Sequence, residues 1–136
     1  MPSFCANWFY PITGGLTLSQ PALQAEIHKV VELALACGQI VLESGGETHR
    51  VEEIMRRVSK GYGYPATESY VTPTGIFLTV SDTQHNSMTS IKRINQRNTD
   101  LDKITQISRL SHRISKEGLS IEQFENELDT VKKRKG

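Results

Sequence analysis

Ser44, His49 and a carboxylate at Glu43 or Glu47 supply, in one short stretch, the three side-chain types of nucleophilic acyl transfer. They are a hydroxyl to attack, an imidazole to take its proton and an acid to orient the imidazole. Used that way, they would make the chain a small serine-type hydrolase. The same residues carry a second reading: Ser44-x-x-Glu47 has the spacing of a capping box, in which hydroxyl and carboxylate each satisfy a backbone amide at a helix start. A serine so engaged is not poised to attack. Neither Gly-x-Ser-x-Gly nor the phosphate-cradling Gly-x-x-x-x-Gly-Lys-Ser/Thr is present.

Thr72-Pro73-Thr74-Gly75 offers hydroxyls and amides beside a bend, which can hold a carboxylate or simply turn the chain at a sheet edge, with Gly75 free to take a positive φ. His28, His49, His85 and His112 are scattered without metal-ligand spacing, so no metal and no cofactor is expected. Lys92, Arg93, Arg97, Lys103, Arg109 and Arg113 form a basic stretch, but Asp100 and Asp102 interrupt it and aromatic residues do not interleave it. Pairing with Glu122, Glu125, Glu127 and Asp129, or with an anionic small molecule or lipid, fits it better than a nucleic acid.

The elements that must position these residues are legible in the periodicity. From Leu23 to Glu43 apolar residues cover most of a helical surface, which predicts a central, largely buried helix with one polar stripe of His28, Glu32, Gln39 and Glu43. Gly45 or Gly46 ends it, and a second helix follows with Val51, Ile54, Met55 and Val58 on one face, until Gly61-Tyr62-Gly63-Tyr64-Pro65. Short β-branched and aromatic runs, at Tyr70-Val71, Ile76–Val80 and Met88–Arg93, predict three strands. Met88 and the tyrosines read as packing residues. Asn98-Thr99 with Asp102 offers a cap for a helix to about Lys116, closed by Gly118. Ser120 and Gln123 then form a second capping-box pattern, with Leu119 and Phe124 spaced as a hydrophobic staple. The order α-α-β-β-β-α-α predicts an α+β fold with a small, mainly antiparallel sheet covered on one face.

The 136 residues, with 16 Lys+Arg against 15 Asp+Glu, suit one domain and exclude strongly polycationic behaviour. Residues 1–20 read as a loose lead-in, 21–131 as the domain and 132–136 as a basic tail. No stretch reaches the roughly 20 apolar residues of a spanning helix, and residues 1–20 lack a secretory signal pattern. Cys5 and Cys37 make no disulfide framework, which points to a reducing compartment.

Leu42-Glu43-Ser44-Gly45-Gly46-Glu47-Thr48-His49-Arg50-Val51-Glu52, followed by Val71-Thr72-Pro73-Thr74-Gly75-Ile76-Phe77-Leu78, resembles the N-terminal region of the threonine/serine exporter family. Asn98 to Arg113 and Ser120 to Asp129 resemble the remaining helices of that region. The resemblance implies a domain that precedes a bundle of membrane-spanning helices and acts in export of small amino acids or, in two-component relatives, a dicarboxylate. The sequence reaches Lys132-Lys133-Arg134-Lys135-Gly136 about where the first span is expected, and such a basic flank is retained on the cytoplasmic face. The expectation is therefore an accessory domain that recognises solute, gates or assembles with a membrane-spanning transporter domain or subunit, with a homo-oligomer left open. Glu43, Ser44, Glu47, His49, Arg50, Thr72 and Thr74, which carry the resemblance, are the candidate ligand or interface residues. A free-standing protein-interaction module is the remaining alternative.

Overall fold

The structure, a computed structural model, describes residues 19–83 and 86–133. Cys5, residues 1–18, His85 and residues 134–136 lie outside the described residues. The apolar run that predicts a helix from Leu23 forms α1 from Ser19 to Glu43. It starts earlier than the periodicity suggests because Pro21 sits in the first turn, where an amide proton has no intrahelical partner to lose. A tight turn leads to α2 (Thr48–Gly61), then β1 (Ala66–Thr72), β2 (Gly75–Ser81), β3 (Ser87–Arg93), α3 (Leu101–Glu117) and α4 (Ile121–Lys133). The expected α+β order is the observed one.

The three strands make an antiparallel meander in the order β1-β2-β3. Thr72-Pro73-Thr74-Gly75 is the β1–β2 hairpin: Thr72 pairs with Gly75, and Thr72 Oγ1 accepts the Gly75 amide at 3.1 Å. Gly75 is not among the glycines with positive φ, contrary to the conformation its position suggests; the threonine hydroxyl, rather than glycine's freedom, secures the turn. The inner face of the sheet, with Val71, Ile76, Leu78 and Val80 buried, lies on the α1–α2 hairpin. On the hairpin's other side pack α3 and α4. α1 is thus covered by β2 and β3, α2, α3 and α4, which is why its apolar residues run almost all the way round. His28 and Glu32 of its polar stripe form the seam along β3. His28 Nδ1 lies 3.3 Å from Met88 Sδ, and Ser90 Oγ donates to Glu32 at 3.4 Å.

Two capping expectations are corrected. Ser44 and Glu47 form no capping box: α2 begins at Thr48, and its N-cap Glu47 makes no side-chain capping bond. The intervening residues are used by α1 instead. Gly46 N–H donates to Val41 O at 2.8 Å and Gly45 N–H to Leu42 O at 3.1 Å, a Schellman turn with Gly45 at φ 95°. Ser44 is therefore the end of α1, not the start of α2. At α3 the cap is Asp100, whose carboxylate accepts the Lys103 amide, rather than Asn98 or Thr99. The Ser120–Gln123 box forms as expected, with bonds of 3.0 and 3.1 Å in the two directions. Tyr64 is buried, whereas Tyr70 is not a core residue: it stands 65% exposed on the sheet's outer face beside Phe77.

Candidate functional site

The C-terminal end of α1 leaves backbone carbonyls without helical partners, and the β3–α3 connection supplies them. Asn98 N–H donates to Glu43 O at 2.6 Å and Asp100 N–H to Ser44 O at 3.0 Å. This stitching opens a cleft of about 870 Å³ between α1, the connection and the last turn of α4. Ile40 and Ser44 contribute from α1, together with Gln39 and Glu43; Gln96, Asn98, Thr99 and Asp100 line the connection; Lys103, Lys132 and Lys133 bring three ammonium groups. Gln39 Nε2 donates to Glu43 Oε2 at 3.0 Å, which fixes that carboxylate and leaves its other oxygen without a hydrogen bond among the described residues. No ion pair joins these two acids to these three lysines among the described residues. The cleft therefore presents both signs of charge, uncompensated by each other, around amides and hydroxyls.

Of the sequence candidates, the cleft holds Glu43 and Ser44 alone. Ser44 is 4% exposed, and its hydroxyl makes no hydrogen bond among the described residues. His49 sits on the first turn of α2 with its side chain 73% exposed, and Nδ1 lies 3.3 Å from Glu47. Ser44 and His49 share no hydrogen bond among the described residues, so this imidazole is not paired with that hydroxyl as a nucleophile's base would be. Arg50 is exposed beside His49, while Thr72 and Thr74 belong to the β1–β2 turn; none of these lines the cleft.

What sequence reasoning missed is the other wall: Gln96, Asn98, Thr99, Asp100 and Lys103, and the part that Lys132 and Lys133 take as the final turn of α4. Thr99 and Asp100 read there only as capping or as breaks in a basic stretch. Of the expected cross-helix ion pairs, Arg113–Glu127 forms at 2.6 Å, reinforced by Arg113–Glu117 at 3.1 Å. Those two carboxylates raise the guanidinium's pKa further above its already high value. Burial raises the Cys37 thiol well above its ordinary value, which keeps it protonated and unreactive inside the core. Among the described residues no cluster of potential metal ligands occurs, and no helix is long and apolar enough to cross a membrane.

A sequence model of the putative threonine/serine exporter family matches residues 32–136, which takes in the C-terminal half of α1, both halves of the cleft and the whole sheet. This chain belongs to that family. No curated protein and no solved structure matches. Membership in the threonine/serine exporter family places the chain in the context of membrane transport of small solutes, and it gives the mixed-charge cleft a class of ligand to be tested against.

Proposed function

We propose that this chain is the accessory domain of a small-solute exporter, placed on the cytoplasmic face of the membrane, and that the cleft between α1, the β3–α3 connection and α4 recognises the exported amino acid. The observation that carries the reading is the cleft's pairing of two carboxylates with three lysines, unbonded to each other, in a member of a transporter family. A zwitterionic amino acid complements that pattern. Its ammonium suits Glu43 and Asp100, its carboxylate suits Lys103, Lys132 or Lys133, and a small hydroxylated side chain suits Ser44 and the neighbouring amides. A dicarboxylate satisfies the lysines but meets repulsion at Glu43. Coupling to transport then requires that solute bind two transporter states unequally, which a cleft closed by the last turn of α4 can do by favouring one position of that helix. Glu47, His49, Arg50 and the Thr72–Thr74 turn, being outside the cleft, are assigned to contact with the membrane-embedded partner.

Backbone amide shifts of Glu43, Ser44, Asn98 and Asp100 during titration with L-threonine, L-serine and a four-carbon dicarboxylate test the reading. An open, partly hydrated cleft should bind in the millimolar range, near −4 kcal/mol. Saturable shifts confined to the cleft are expected for the amino acids. Glu43→Gln should weaken amino-acid binding about tenfold, the worth of roughly 1.5 kcal/mol for a hydrogen bond to a charged group, without weakening the dicarboxylate. Absence of shifts at these amides, or equal loss for both ligand classes, defeats it.

A further inference from the structure

Among the described residues, the sheet is covered on its inner face only. On its outer face the register aligns Tyr70 with Phe77 and Phe77 with Ile91, one continuous row across all three strands. These side chains are 65%, 44% and 60% exposed, and the Tyr70 and Phe77 ring centres are 6.2 Å apart. The neighbouring positions are small or hydroxylated, with Thr79 and Thr89 joined by a 2.7 Å hydroxyl bond. Only Glu68 and Arg93 carry charge on this face, and neither has an ion-pair partner among the described residues.

We propose that this face is a self-association surface on which a second copy of the chain packs about a two-fold axis through Phe77. The placement of the two charges argues for a copy of the same chain over another occupant. Glu68 lies two residues before Tyr70 on β1, and Arg93 two residues after Ile91 on β3. β1 and β3 run in the same direction, so the charges occupy opposite corners of a diagonal whose centre is Phe77. A two-fold axis lying in the interface across that diagonal sets Phe77 against Phe77 and places Glu68 of each copy over Arg93 of the other. Every contact is then self-complementary, as an isologous interface demands. With strands about 4.8 Å apart and a rise of about 3.4 Å per residue, the two sets of strands cross at roughly 110°, close to the orthogonal mode of sheet packing. Three strands of this length cover about 23 Å by 14 Å. That is smaller than the ~800 Å² per partner of a standard stable interface, so the dimer is weak and concentration-dependent, with a Kd of about 10–100 μM. This surface is independent of what the cleft holds.

Sedimentation velocity from about 5 to 500 μM chain spans that range. The wild-type chain should shift from monomer to dimer and go no further. Glu68→Arg and Arg93→Glu each place like charges in both symmetry-related contacts and should weaken the dimer by about tenfold or more. The double variant Glu68→Arg/Arg93→Glu should restore it. Restoration cannot come from a misfolded chain, and melting curves of all three variants check that the fold is kept. Phe77→Asp should give monomer throughout. A wild-type monomer at every concentration, with this face covered instead by residues 1–18 of its own chain or by a membrane-embedded partner, overturns the proposal. So does a dimer indifferent to Phe77→Asp, or one that the double variant leaves broken.

Discussion

Gly45, Gly46 and Gly63 look alike in the sequence, as helix-ending glycines, yet they are glycine for different reasons. Gly63, at φ 96°, ends α2 in a turn where an added Cβ would meet nothing within 4 Å. Gly46 has no positive φ, but an added Cβ would sit 2.5 Å from Val41 Cγ1 and 2.8 Å from Val41 O. The carbonyl cannot yield, because it accepts the Gly46 amide that closes the Schellman turn. Gly63→Ala should therefore cost only the left-handed penalty of about 1–2 kcal/mol. Gly46→Ala should cost more, about 2–3 kcal/mol, the scale of a forced backbone shift in a packed region, and should disturb the Glu43 and Ser44 side of the cleft. Urea unfolding of the two variants checks the order, and a larger loss at Gly63 would show that the turn, not the close approach, is what the hairpin depends on. Sequence can place a glycine at a helix end; it cannot say whether the residue serves a dihedral or a neighbour, because the neighbour is set by how the turn is wound.

At the scale of elements, two Ser-x-x-Glu/Gln patterns invite the same reading and only one is a cap. Ser120 and Gln123 bond reciprocally because Ser120 stands immediately before α4, with the box residue at the third helical position. Ser44 stands at the end of α1, and the following turn uses up the spacing before α2 begins. Ser120→Ala should lower stability by about 1 kcal/mol, whereas Ser44→Ala, which removes no hydroxyl bond among the described residues, should stay within about 0.5 kcal/mol. Thermal melts of both variants test this; equal losses would restore Ser44 as a structural cap. The same positional logic explains what was legible in the sheet. Ile76-Phe77-Leu78 is apolar at consecutive positions, so a strand is evident, but alternation then puts Phe77 on the side away from the helices. The existence of β2 follows from the run of residue types. The exposure of its middle residue follows only from which face the hairpin covers, and that depends on packing between elements distant in the chain.

The described residues stack three layers deep, sheet over α1–α2 hairpin over α3–α4, and the cleft lies where the middle layer ends against the third. Periodicity predicts the helices and hence the layers, since an all-round apolar α1 must be enclosed. It is silent on the backbone bonds that bring residues 98–100 to Glu43 and Ser44, because an isolated polar connection carries no period. α4 forms the cleft's third wall. It is pinned at its start by the Ser120–Gln123 box and the fully buried Phe124, and its last turn brings Lys132 and Lys133 to the cleft rim with Val131 beneath. If solute bridges Glu43 and these lysines, every opening that lifts the last turn must also release the solute. At a concentration about ten times Kd, such openings become roughly elevenfold rarer, while openings elsewhere that leave the cleft intact are unchanged. Amide hydrogen exchange with and without L-threonine should therefore slow by about tenfold at residues 131–133 and 98–100, leave the middle of α2 unaffected, and fall to about twofold in Glu43→Gln at the same concentration. Slowing that is spread evenly over all helices would mean general stabilisation instead. No slowing at 131–133 despite saturable binding would mean that α4 rides free of the ligand, and a transporter domain joined through that helix could not sense an occupied cleft by this route.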